Sequence, residues 1–346
     1  MHGGINVFAF LGNAYRCSLP WDRLQREPRG SLDTKTVEEY RNFLGTLQDK
    51  GIDVMLVLQY FANPRWLAEK GGWTIEELAD IFEDYAKKVV ALFGDLVTLW
   101  NTINEPTVYV TSAYIAGIFP PYKKDPRLVI PVIRNLRHGH ELAYDAVKNS
   151  RPEQQVGISN NTMYFEAINK YCEPLVRLAD WFYLNYMLNQ FTLVDYTGLS
   201  YYGRVSIMPL PVMEIFSPGK LDTIGHEHDK MYEIYPEGLG AILKHFNHKY
   251  PGKPIIITEN GFFTDDDNKR IEWIKRHLTE LHAYIKNGIL VKGYFYWSTF
   301  NNWELSNGLN YPFGFVDVNP QTMERTIKES GKFYSEIAKN NYLDVN

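Results

Sequence analysis

Two glutamates stand in short motifs far apart in the chain, Thr102-Ile103-Asn104-Glu105-Pro106 and Ile257-Thr258-Glu259-Asn260-Gly261. Each follows an apolar, β-rich run and precedes turn chemistry, so each carboxylate is expected to emerge at the carboxyl end of a strand. A carboxylate pair at the mouth of a barrel can break a glycosidic bond: one carboxyl protonates the leaving oxygen while the other acts on the sugar carbon.

The elements that must position this pair follow from hydrophobic period. Strands are expected at Asn13 to Trp21, Asp53 to Phe61, Thr98 to Asn104, Gln155 to Asn161, Thr197 to Tyr202, Pro254 to Asn260 and Val291 to Thr299. Helical patterns lie near Lys35 to Asp49, Ile75 to Phe93, Leu128 to Asn149, Phe165 to Asn185, Tyr235 to His248 and Asn268 to Asn287, with a last helix from Thr326 to Lys339. Runs such as Val54-Met55-Leu56-Val57-Leu58 and Ile255-Ile256-Ile257 are continuously apolar, as in a parallel sheet covered on both faces. The expectation is an α/β chain, residues 1–346 forming a single (β/α)8 TIM barrel domain. Its first strand and helix unit is incomplete or irregular, because only Ile5 to Phe10 is left as a first strand and no crossover helix follows it. The loops at Pro106 to Arg127, Gly203 to Met231 and Asn301 to Met323 would rise on the same face as the glutamates.

Composition narrows the ligand. The 346 residues carry a net charge of −5, which provides no basic field for a nucleic acid. Aromatics make up 15% of the chain, and such side chains can stack on the apolar faces of sugar rings, although most of them serve the core of any protein. Cys17 and Cys172 lack metal-ligand spacing and read as reduced, small hydrophobes of a cytoplasmic protein. No secretory signal pattern opens the chain, and no run reaches the roughly 18 apolar residues of a membrane span.

Six blocks together resemble glycoside hydrolase family 1, the retaining β-glucosidase and β-galactosidase family. They are Asn13-Ala14-Tyr15-Arg16-Cys17-Ser18 with Trp21; Trp66 with Lys70-Gly71-Gly72-Trp73; Trp100 to Pro106; Tyr235-Pro236-Glu237-Gly238-Leu239; Ile257 to Gly261; and Gly293 to Ser298 with Asn302-Trp303-Glu304. The resemblance implies that Glu259 is the nucleophile and Glu105 the general acid/base, acting on O-β-glycosides of neutral sugars without a metal or cofactor. By the same resemblance, Arg16 and Tyr202 support the charge on Glu259, and Asn104 donates to the sugar 2-hydroxyl. Trp297 would underlie the glycone and Glu304 would accept from its outer hydroxyls. A pair serving direct attack should be separated by about 5 to 5.5 Å.

Several family positions have changed. Tyr60-Phe61 replaces a histidine followed by an aromatic residue, so Tyr60 is expected to line the subsite instead. Ser200 replaces an asparagine, Leu305 follows Glu304 where a tryptophan is usual, and the first-strand glutamine has no counterpart. Glycone recognition should therefore be weaker or different, and a sugar-binding barrel of little or no activity is the competing reading. His138-Gly139-His140 reads as a helix face rather than a metal pair, and His226-Glu227-His228-Asp229 as a polar loop before a metal site. Asp265-Asp266-Asp267 is expected to cap the next helix. The loop after Glu304 contains no lysine for a sugar phosphate, and an open first-strand edge would invite a homodimer.

Overall fold

The computed structural model of the protein describes residues 12–208, 225–229, 231–304, 308 and 311–344. Seven strands form one sheet in the order β1 to β7: β1 Ala14–Ser18, β2 Asp53–Gln59, β3 Leu99–Asn104, β4 Gln155–Ala167, β5 Tyr196–Ile207, β6 Ile255–Asn260 and β7 Val291–Tyr296. The β1–β2, β2–β3, β3–β4 and β6–β7 ladders are all parallel. The expected strand at Ile5 to Phe10 lies outside the described residues, as do most of the loop after β5 and Leu305.

The chain divides into two compact units, and β4 and β5 contribute residues to both. The first unit comprises Ala14–Asn161 and Met187–Gly198. Its strands β2 and β3 are buried along nearly their whole length, which is why they read as unbroken apolar runs. Helices α1 (Thr34–Asp49), α2 (Leu78–Phe93) and α3 (Val129–Ser150) cover them, and α1 starts where the Asp33 side chain accepts the N–H of Thr36. Trp21, Trp73, Phe82, Tyr85 and Trp100 are fully buried here, so these aromatics are core.

The second unit contains Thr162–Tyr186 and Leu199–Asn346. Helices α4 (Glu173–Asp180), α5 (Pro236–Lys249), α6 (Asp267–Lys286) and α7 (Glu329–Asn340) belong to it. Asp266 caps α6 by accepting from the N–H groups of Asn268 and Lys269.

The helix expected from Phe165 to Asn185 is corrected. Strand β4 continues to Ala167, because Met163 and Phe165 alternate into a cluster with Val205 and Ile207 of β5. Helix proper is confined to α4, followed by a π-helical turn at Trp181–Tyr186.

Candidate active site

Glu105 stands at the turn where β3 ends. Its backbone is left-handed, φ 44° and ψ 63°, and Pro106 then begins the short helix Pro106–Val110 with its φ already set for a helix. A non-glycine residue in this region costs about 1–3 kcal/mol unless its surroundings impose it. Here the Glu105 N–H donates to the Ser159 carbonyl at 2.9 Å, and its carbonyl accepts from Tyr109 N–H at 3.0 Å. The side chain is buried.

Beside it, the Arg16 guanidinium donates to Asn104 Oδ1 and, at 3.2 Å, to Ser159 Oγ. That contact orients the Asn104 amide, whose Nδ2 is buried with no hydrogen-bond partner among the described residues. The Arg16 guanidinium also lies 5.8 Å from the centre of the Tyr60 ring, within cation–π range. Arg16, Tyr60 and Asn104 thus gather in one neighbourhood of the first unit.

Glu259 occupies the next-to-last position of β6 and is also buried. Tyr202 donates its hydroxyl to Glu259 Oε2 at 2.8 Å. The Tyr202 ring is itself held, stacked on Tyr232 with centroids 5.4 Å apart and edge-on to Phe313 at 6.2 Å. Asn260 ties β6 to both neighbouring strands, donating to the Tyr201 carbonyl and accepting from the Tyr294 hydroxyl at 2.6 Å. Gly261 is required where β6 meets the start of the last loop, since a Cβ there would lie 2.1 Å from the Trp297 carbonyl oxygen.

Trp297 Nε1 donates to Glu304 Oε1 at 3.0 Å, so these two expected site residues meet. Burial pushes the Glu304 carboxyl up to about 7; the Trp297 bond opposes the rise and the negative charge of Glu259 adds to it. Tyr202, Glu259, Trp297 and Glu304 therefore form an electrostatically connected group in the second unit.

The model of glycosyl hydrolase family 1 matches residues 4–202 and 175–343, most of the chain. The chain belongs to glycosyl hydrolase family 1. It is 32% identical to beta-glucosidase A of Acetivibrio thermocellus, over 97% of this chain and 85% of that protein. It is 28% identical to a chloroplastic galactolipid galactosyltransferase of Arabidopsis thaliana, over 94% of this chain and 54% of that protein. Among solved structures, the beta-glucosidase from Thermotoga maritima in complex with castanospermine superposes with a TM-score of 0.88 at 28% identity, covering 99% of this chain and 86% of that one. This family 1 protein is accordingly a glycoside hydrolase of the β-glycosidase kind, with an α/β fold of the TIM-barrel type.

Two residues of this hydrolase, Ser159 and Gln59, escaped motif reasoning, while others read from the sequence now have defined partners. Ser159 accepts from Arg16 and Asn101, yet nothing in its local sequence marks it. Gln59, at the end of β2, is fully buried with neither amide atom hydrogen-bonded among the described residues. Asp229 accepts the N–H groups of Met231 and Tyr232 at 2.6 and 2.7 Å and so fixes the ring that stacks on Tyr202. The other three residues of its tetrad face separate partners: His226 meets Glu233, Glu227 meets Arg276, and His228 Nδ1 meets the Asp229 carbonyl. His140 is locked between Thr102 Oγ1 and the Leu193 carbonyl, and burial holds its pKa down to about 4. Ser200 is fully buried against Thr258 Oγ1 at 3.3 Å.

Proposed function

We propose that the protein hydrolyses O-β-glycosides of neutral sugars with retention, by double displacement between Glu259 and Glu105. In the first step a Glu259 carboxylate oxygen bonds to the anomeric carbon as the glycosidic C–O bond breaks, and Glu105 gives its proton to the departing oxygen. In the second, Glu105 takes a proton from water, whose oxygen bonds to the same carbon and releases Glu259. The observation carrying this reading is the 2.8 Å bond from Tyr202 to Glu259, which stabilises a buried charged oxygen and orients it for attack.

Asn104 Nδ2, which has no hydrogen-bond partner among the described residues, supports a donor to the sugar 2-hydroxyl, held ready by Arg16. Trp297 and Glu304 are assigned to the glycone, and Tyr60, beside Arg16, to the place of the usual histidine. A 2-fluoro-β-glycoside with a good leaving group tests the scheme. It should label the enzyme stoichiometrically at Glu259, and the anomeric proton spectrum of the first-formed product should show the β sugar. Inverted product, or labelling elsewhere, rejects the scheme.

A second reading, a barrel that binds sugar without turnover, is favoured by the burial of Ser200 against Thr258, where the family's asparagine would contact the glycone. Saturable sugar binding without labelling would establish it.

A further inference from the structure

The stretch after β5 holds a carboxylate whose bonds reach further than closing a turn requires. Asp229 Oδ1 accepts the N–H groups of Met231 and Tyr232 at 2.6 and 2.7 Å, an ordinary local turn. Its Oδ2 leaves that turn and accepts the Phe263 N–H at 3.4 Å, in the segment that follows β6. One side chain therefore joins residues that follow two different strands. Burial pushes its carboxyl up to about 6, and the three N–H bonds oppose that rise.

The residues so joined carry rings that enclose Tyr202. Tyr232 stacks on it at 5.4 Å. Phe263 packs in the same cluster, 5.9 Å from Phe313, which meets Tyr202 edge-on. On the other flank of Tyr232, the fully buried Glu233 accepts the Ser206 N–H at 3.0 Å and Arg204 Nε at 2.8 Å. Glu233 thus fastens this stretch to β5 without help from Asp229. What Asp229 adds is the placement of the Tyr232 ring relative to the segment after β6, the strand that bears Glu259.

We propose that Asp229 is a positioning residue for the nucleophile: by tying Tyr232 to Phe263 it fixes the cage in which the Tyr202 hydroxyl is aimed at Glu259. This role presupposes Glu259 as the nucleophile proposed above. A hydrogen bond weakens steeply once donor and acceptor leave alignment, so a ring free to tilt would serve the carboxylate poorly as its charge changes. Asparagine at position 229 would keep one acceptor for the local turn and set an amide against the Phe263 N–H, whereas alanine removes all three bonds.

Two rates of the whole enzyme test this: turnover of a nitrophenyl β-glycoside, and inactivation by the 2-fluoro-β-glycoside. Asp229→Ala should lower both by roughly tenfold while KM stays within about twofold. Asp229→Asn should recover part of the loss. In a Tyr202→Phe background, where the donor is already gone, Asp229→Ala should cost less than about twofold further, since two residues that act through one contact do not add. Thermal midpoints identify the folded variants, and if alanine does not fold, Asp229→Asn enters the same cycle with Tyr202→Phe. A folded Asp229 variant with full rates, or a loss equally large with and without Tyr202, overturns the proposal while labelling at Glu259 leaves the double-displacement reading standing. Absence of label at Glu259 rejects that reading, and this role with it.

Discussion

Tyr202 offers Glu259 one hydrogen bond, but its ring is clamped between Tyr232 and Phe313, so the donor holds still while charge moves on the carboxylate. A bond to a charged group contributes about 1.5–3 kcal/mol. Tyr202→Phe is therefore expected to lower kcat by roughly tenfold to a hundredfold with the fold intact, as steady-state rates and circular dichroism would show. Glu105→Gln should cost roughly 10²–10⁴ on alkyl glycosides, whose leaving groups need a proton, and far less on nitrophenyl glycosides, as paired substrate kinetics would reveal. Glu304, lifted to about 7 mainly by burial, titrates in the working range. Its folded pKa lies above the usual carboxylate value, so the folded state is destabilised as pH rises from that value towards 7, and Glu304→Gln should flatten this slope in thermal melts. The ionised form accepts more strongly from sugar hydroxyls, so KM should fall as pH passes upward through 7, and this dependence should vanish in the same variant.

The end of β6 is the element on which Glu259 depends for its position. Asn260 bonds to β5 and β7 at once, and Gly261 lets the Trp297 backbone approach where a Cβ cannot fit. Gly261→Ala should push Trp297 and its bonded Glu304 aside, costing about 1–3 kcal/mol of stability and raising KM more than it lowers kcat. Calorimetry and a full kinetic profile would check it. Strand β3 is held differently: His140 of α3 bonds Thr102 from outside the strand, Ser159 accepts from Arg16 and Asn101, and the Ser159 carbonyl fixes the Glu105 N–H. The strand that presents Glu105 is thus pinned at three points.

For the molecule as a whole, net charge −5 and the neutral substrate proposed above leave nothing for long-range steering to act on. kcat/KM on a neutral glycoside should stay within about twofold between low and high salt, measured at fixed pH. A strong decline would point to a charged substrate.

Much of this was legible in order and spacing. The Thr-Ile-Asn-Glu-Pro and Ile-Thr-Glu-Asn-Gly motifs, the unbroken apolar strands and the cap at Asp266 are local patterns, and local physics writes them into the chain. The helix expected across Phe165 was misread because Met163 and Phe165 fit either period, and only packing against Val205 and Ile207 chose the strand. Ser159 and Gln59 bear no motif, since their meaning lies in what folds around them. The chain alone determined the reaction family and the motifs in which the proposed catalytic residues stand. Tertiary packing decided which ring steadies Tyr202, which guanidinium orients Asn104 and why Glu304 titrates near neutrality, because hydrogen bonds and desolvation arise between residues that no sequence window joins.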